Sequence, residues 1–499
     1  MLIKRGKAEG WLHLDIEGVT TWATASGIGF TNASPKIVPG RGIGLVTDRN
    51  LDYSESGKPL EILKISEDLV LSVEAVKQQA QFDRDFREVL DSLADFGQTP
   101  RGAILTFLLF QASVSCPYLP GRVGVHTPFT DYVKTLPCEL LPTFWNPPER
   151  QLLVGTTLAP AVTSKLKSLE LEYDQLCSSV AKTRWYQLVQ DHIDLDDWMQ
   201  VDAMFRSRAL DFYGSCMIPG MDLASHAAGD STNAFYDRAD DKYYLWLLED
   251  KNLPLGHEVS ITYGDEKGAC EMLFSYGFLD PEMETAETLF LSLKIPDNDV
   301  AKTAKMKVAG CAPGFKIIDT PSSTKSNASA EAAEAESTST NSNEPPVGGI
   351  DWQGNFIWLL CVSKDEGLRF ELARTIDGEE EMRAIFVDRE LTGADDLRHA
   401  LSQSELWPVY KLRAIVILQQ RVFDQLQILY STQEEVEAVL HGDASSVREA
   451  PYQQAMKLRS LEFELLEKAY EEFERQKLEL AESSVVQKHL ASMTGDQST

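Results

Sequence analysis

Two strand-rich pieces of this chain, near residues 37 to 66 and 214 to 263, are held apart by a block of helical pattern from about 68 to 200. The second piece closes on EVSITYG, where Val259, Ile261 and Tyr263 share one face of a short strand and Gly264 gives the backbone freedom to turn. Within the block, RGAILTFLLFQAS (residues 101 to 113) is nearly continuous in apolar residues, and Thr157 to Trp185 again has helical periodicity. The order reads as a strand fold carrying a helical insertion. No internal repeat is apparent.

The remainder of the chain has a different grain. Residues 319 to 349, DTPSSTKSNASAEAAEAESTSTNSNEPPVGG, lack the large apolar side chains that would offset the entropy of ordering, and are expected to be a disordered insert. After about residue 391 the pattern turns helical. Leu412, Ile415, Leu418, Val422, Leu426 and Leu429 recur every three or four positions through residues 410 to 431, and a second long helix is expected over 453 to 480. Both could serve a coiled-coil dimer, but a helical domain packed on itself is the simpler reading. The expected architecture is α+β: residues 1 to 280 with the helical insertion, then an all-α domain from 281 to 318 and 350 to 499.

Composition removes several function classes. With 77 acidic against 47 basic residues the net charge is −30, a field that repels phosphate backbones and argues against direct nucleic-acid binding. The seven cysteines, at 116, 138, 177, 216, 270, 311 and 361, form no C-x-x-C pair and no Cys/His cluster at zinc spacing. No metal is expected, and a reducing intracellular compartment, cytoplasmic or nuclear, fits best. The N-terminal residues lack a signal-peptide apolar core, and the most apolar stretch, Ile104 to Val114, is too short to span a bilayer. A soluble protein with no membrane association is expected.

Four motifs are candidates for chemistry. In PGRGIGLVT, residues 39 to 47, Gly40, Gly42 and Gly44 allow a ligand to approach the backbone closely, although a glycine-rich hairpin explains them equally well. MFRSRAL places Arg206 and Arg208 near the end of a helix, and MIPGMDLASHA places Asp222 and His226 after a turn. Finally, the strand ending in Tyr263-Gly264 is followed by a helix ending in a second such pair, Tyr276-Gly277. Each motif alone has an ordinary structural explanation.

In combination and order, these motifs resemble the SET-domain lysine methyltransferases of the branch similar to the Rubisco large-subunit methyltransferase. The resemblance covers roughly residues 37 to 280, with the C-terminal region similar to that branch's helical substrate-binding domain. It implies transfer of a methyl group from S-adenosylmethionine to a lysine of a non-histone protein, through a channel formed where two segments cross as a pseudoknot. It also implies roles: Tyr263 facing the transferring methyl, with Arg41, Gly42, Ile43, Arg208, Ser225 and His226 holding the cofactor. Asp222, Phe235 and Tyr276 would meet the substrate lysine, Phe235 standing where a tyrosine is usual. A lysine with an ordinary pKa near 10.4 must be held neutral, at a cost of about 4.6 kcal/mol at pH 7, which a desolvated channel helps to offset. The main departure is Ser225 in place of the family's asparagine: a single hydroxyl of shorter reach replaces an amide that both donates and accepts. It is the chief support for an alternative, a non-catalytic SET scaffold that binds a protein partner. A monomer is expected in either case.

Overall fold

The computed structural model describes residues 1–53, 59–138, 140–212, 214–264, 267–320, 349–374, 380–441 and 446–495. The chain forms two compact units. The first comprises Met1–Phe144, Ala161–Asp265 and Phe274–Gly277, and the second Trp145–Pro160, Glu266–Leu273 and Phe278–Thr499.

In the first unit the two strand-rich pieces meet directly. Glu61–Ser66 pairs antiparallel with Lys242–Leu247, setting Leu63 opposite Leu245 and Ile65 opposite Tyr243. Gly29–Phe30 and Ala234–Ala239 complete the four-stranded sheet on either side. Tyr243, Leu245 and Leu247 are buried while Lys242, Tyr244 and Trp246 are not, the period-two alternation of a sheet with one covered face. Leu45, Ile62, Val259 and Ile261 join the same core.

The helical block forms the other half of this unit. Pro100–Val114 is apolar all round because it is the central helix, buried from Gly102 to Ser113; Thr99 caps it by accepting from the Gly102 N–H. Phe86, Phe107, Phe110, Tyr132, Trp185 and Trp198 pack in the same core. Its polar centre is Asp202, whose side chain is 1% exposed. This carboxylate accepts from Arg101 at 2.7 Å, Lys165 at 2.8 Å and Arg206 at 3.2 Å, so that one anion ties together the helices Pro100–Val114, Leu158–Val180 and Leu195–Arg208.

In the second unit the long helices Trp407–Ser431 and Glu449–Glu482 pack on each other. Ile415, Leu418, Val422, Leu426 and Leu429 of the apolar stripe are buried, and at the border of the pair Phe423 meets Tyr470 at a 6.0 Å ring separation and Tyr430 meets Phe463 edge-on at 5.1 Å. The region is helical in its larger part, but it also holds two three-stranded antiparallel sheets that the all-α expectation omits. These are Thr288–Ser292, Gly314–Thr320 and Gly349–Gln353, and then Leu368–Arg374, Glu380–Phe386 and Arg389–Leu391. Most of the expected insert lies outside the described residues. Its edges do not: Asp319 pairs with Ile350 and Thr320 with Gly349, as ordinary strand residues. Among the described residues no helix is long and apolar enough to cross a membrane, and no group of three or more His, Cys, Asp or Glu side chains is arranged to hold a metal ion.

The Asp202 cluster makes a testable prediction. The lysine and two arginines around Asp202 hold its carboxyl below the ordinary range in spite of burial. A group whose pKa is depressed by folding contributes stability that is present above its unfolded pKa and lost as pH falls through the folded one. Asp202→Asn should therefore destabilise the protein by about 3 kcal/mol at pH 7, the lower end of the range for a broken buried pair. The difference between variant and wild type should shrink as urea melts are repeated toward acid pH.

Candidate functional site

The site is built on three chain segments that lie side by side although far apart in sequence. The hairpin of Ala33–Val38 and Gly42–Thr47 turns through Gly40 and Gly42, both at positive φ (76° and 88°). On its inner side Leu45 O accepts from Val259 N at 2.8 Å. Val259 O in turn accepts from Ser225 N at 3.1 Å, and Ile261 O from Ala227 N at 3.1 Å. Ser225–His226 and Ser260–Ile261 thus run parallel, Ser225 beside Ser260 and His226 beside Ile261. This is the crossing that the resemblance implies. Gly44 shows how close the segments come: a Cβ there would lie 3.0 Å from Val38 Cγ2 and 3.2 Å from Glu258 Oε1.

The crossing brings three of the expected residues into contact. The Tyr263 ring lies 4.7 Å from that of Tyr276 and 5.1 Å from that of His226, centroid to centroid. Backbone and side-chain bonds fix the group. Tyr263 N donates to His226 Nδ1 at 3.1 Å, the Tyr263 hydroxyl donates to Ala224 O at 2.8 Å, and the Tyr276 hydroxyl approaches Tyr263 O at 3.4 Å. Because His226 Nδ1 accepts, the neutral ring carries its proton on Nε2. Both Tyr-Gly pairs have local reasons. Gly264 takes φ 131° and Gly277 φ 82°, and a Cβ on Gly277 would approach Leu141 Cδ2 to 3.0 Å. Arg206 donates to Phe274 O at 2.6 Å and covers the Phe274 ring at 4.5 Å, which links the Asp202 cluster to the turn carrying Tyr276.

A second group forms around Asp222. Its side chain is 3% exposed; Oδ1 accepts from Gly220 N at 2.9 Å and Oδ2 from the Tyr132 hydroxyl at 2.7 Å. Arg208 Nη1 donates to the Asp222 carbonyl at 2.8 Å and lies 4.0 Å from Oδ2. Burial pushes the Asp222 carboxyl above the ordinary range, against the opposing pull of Arg208, Tyr132 and the Gly220 N–H. The expected residue Asp222 is therefore an internal tie on Arg208 in this structure.

The other expected residues lie nearby or on the rim. Among the described residues Ser225 Oγ lies 3.4 Å from the Val259 carbonyl. Arg41, Gly42 and Ile43 form the hairpin tip and its exit, where Arg41 meets Glu258 at 3.2 Å with 59% of its side chain exposed, so the pair adds little stability. Phe235 lies in the strand Ala234–Ala239, opposite Trp246 and 37% exposed. Three residues were not singled out by the sequence: Glu258, Tyr132 and Asn233. The Asn233 side chain accepts from Ser260 N at 2.9 Å and donates to Glu258 O at 3.1 Å, clamping the segment that ends at Tyr263. Its only sequence signal is a loop asparagine immediately before a strand.

No protein-family model matches the chain. The chain is 26% identical over 298 residues to SET domain-containing protein 8 of Schizosaccharomyces pombe, a match covering 58% of this chain and 60% of that one. It is 27% identical over 181 residues to the chloroplastic ribulose-1,5 bisphosphate carboxylase/oxygenase large subunit N-methyltransferase of Pisum sativum, 33% of this chain and 36% of the pea protein. In both cases the match spans less than two thirds of the relative's own length. Among solved structures, Rubisco LSMT bound to AdoMet superposes with a TM-score of 0.60 at 18% identity, covering 93% of this chain and 92% of that one. The chain resembles the SET-domain proteins of the Rubisco large-subunit methyltransferase branch, and it has their SET fold followed by a large helical C-terminal region.

Proposed function

We propose that the protein is an S-adenosylmethionine-dependent methyltransferase acting on the lysine amine of a non-histone protein. The observation that carries the reading is the Tyr263, Tyr276 and His226 cluster at the crossing of two parallel-paired segments. Similar proteins support it: the relative in pea is named for methylation of the Rubisco large subunit, and related solved structures hold AdoMet, or sinefungin with monomethyllysine.

The residues present fit such a cofactor. The hairpin turn is open at Gly42, where an added Cβ would meet nothing within 4 Å, so the backbone there can be approached. Arg208 offers a cation, held by Asp222, to a carboxylate. When bound, S-adenosylmethionine supplies an electrophilic methyl on a sulfonium centre. The chain's own part is orientation and desolvation. The Tyr263 hydroxyl donates a hydrogen bond to Ala224 O, which leaves the phenol oxygen's lone pairs as acceptors at a fixed position. Beside it the Tyr276 ring provides an aromatic wall that excludes water, which favours a neutral amine. In this reading Ser225 and His226, which lie in the crossing, serve the adenosine end, and Phe235 serves the lysine end.

Calorimetry with S-adenosylmethionine and S-adenosylhomocysteine tests the proposal directly. Saturable one-to-one binding is expected; failure of both to bind would point to the scaffold instead. Tyr263→Phe keeps the ring packing and removes the oriented hydroxyl. Turnover should fall by about a hundredfold, or ~2.7 kcal/mol of transition-state stabilisation, with little change in cofactor affinity. A wild-type rate in that variant would refute the role of the phenol. Since the Ser225 hydroxyl contact to the Val259 carbonyl is long, at 3.4 Å, and an asparagine amide reaches further, Ser225→Asn should tighten cofactor binding, read as a lower Kd in the same titration.

A further inference from the structure

The helix Glu449–Glu482 buries Leu458, Leu461, Leu465 and Leu466, and among them an acid, Glu462, which is 0% exposed. Both of its side-chain oxygens turn to one residue. Oε1 accepts from the Thr157 hydroxyl, and Oε2 from Thr157 N at 2.9 Å. Thr157 ends a short turn that is laid against the helices Trp407–Ser431 and Glu449–Glu482. Gln425 Nε2 donates to Gly155 O at 2.7 Å, the Thr432 hydroxyl lies 3.2 Å from Val154 O, and Arg459 donates to Val154 O as well. Gly155, at φ 90°, permits this approach, since a Cβ there would lie 2.2 Å from Thr432 Oγ1.

We infer that Glu462 is a proton-operated latch: with its proton on, it seats residues 154–157 on the helix pair, and once the proton is lost the segment lifts more readily. A buried charge is costly unless an ion partner faces it. The cation on the preceding turn, Arg459, is 7% exposed and aims its guanidinium elsewhere, at Val154 O, at Leu429 O at 3.1 Å and at the Gln433 side chain at 3.3 Å. The bonds that Glu462 accepts come from neutral donors of Thr157. In the neutral acid both contacts survive, because Oε1–H can donate to the Thr157 hydroxyl oxygen while Oε2 goes on accepting from Thr157 N.

The titratable groups that face Glu462 are Arg459 on its own helix and Cys270 on the helix Ala269–Tyr276. Burial, and after it the Glu462 charge, pushes the Cys270 thiol up to about 12, so it stays neutral while Glu462 titrates. Residues 154–157, Val-Gly-Thr-Thr, bring no titratable side chain. Burial pushes the Glu462 carboxyl from its ordinary 4.5 up to about 7, against the two Thr157 bonds and the Arg459 charge. An acid whose pKa is raised in the closed form holds its proton more tightly there, so its contribution is complete below the ordinary value and is lost as pH rises to the raised one. The seated segment therefore loosens between about pH 4.5 and 7 and changes little above that.

The experiment is hydrogen–deuterium exchange of the full chain between pH 5 and 8.5, corrected for the intrinsic pH dependence of amide exchange, for wild type, Glu462→Gln and Thr157→Val, with a melting curve for each. In wild type the opening of peptides that cover residues 154–157 should increase by roughly tenfold between pH 6 and 8.5. Glu462→Gln puts an amide where the neutral acid stands, so its corrected profile should be flat and its segment better protected than wild type at pH 8.5, by roughly tenfold or more. Thr157→Val removes a bond that is stronger to the anion, so the rise should move to higher pH, and this variant carries the test if Glu462→Gln does not fold. A wild-type profile that stays within twofold across the range would overturn the inference. So would the same rise in Glu462→Gln, or a rise shared equally by peptides throughout the chain, which would place the proton's effect on global unfolding.

Discussion

Two short parallel strands, Ser225–His226 beside Ser260–Ile261, hold this structure's centre together. They contribute few hydrogen bonds, yet they bring Tyr263 beside His226, where the Tyr263 N–H to His226 Nδ1 bond fixes the pair, and a slip of one residue in the register would take the two apart. Such a pairing cannot stand alone. It is flanked by the hairpin strand through Leu45 and Val259, and it is clamped at Ser260 by Asn233. The glycine at 44 eases this stack, since a Cβ there would require the side chains of Val38 and Glu258 to yield by a few tenths of an ångström.

Around that centre the helical insertion acts as a frame. One buried anion, Asp202, collects three cations from three helices, and one of those cations, Arg206, reaches on to the carbonyl of Phe274. The adjacent Arg208 goes the other way, to Asp222. Two arginines separated by a single serine therefore divide the work. One holds the turn bearing Tyr276, and the other is itself held near the crossing. Their helix also caps the chain's first turn, since Asp197 accepts from the backbone of Leu2 and Ile3 at 2.8 and 2.7 Å.

Much of this was legible in the residues. The interrupted strand fold, the glycine hairpin, the two Tyr-Gly ends and the self-packed C-terminal helices all follow from periodicity and from glycine placement. Legible motifs were local ones. Tyr132 and Asp222, or Arg101 and Asp202, are joined over 90 and 101 residues, and no spacing rule connects a buried phenol with a distant carboxylate. The C-terminal sheets were missed for a different reason. LRFELAR is mostly exposed, EEMRAIF is exposed at its first two residues, and both are rich in charge, so their sequences lack the clean apolar/polar alternation that marks a strand with one buried face. At the expected insert, residues 321–348 lie outside the described residues, but the expectation ran over its edges, because Asp319, Thr320 and Gly349 pair through their backbones whatever their side chains.

That last pairing bears on how the chain can vary. Thr320 and Gly349 face each other across one rung of a ladder, so the described residues on either side of positions 321–348 are held at adjacent points. The rungs behind them are fixed by Ile317 against Trp352 and by Phe315 against Leu291, at positions that do not depend on the length of the intervening chain. Closing a longer loop costs only about 0.6 kcal/mol for each doubling of its length. The segment can therefore lengthen, shorten or be replaced over generations with little effect on the register of the sheet. Sequence drift should accumulate between these two residues while the rungs that carry Ile317 and Phe315 stay as they are.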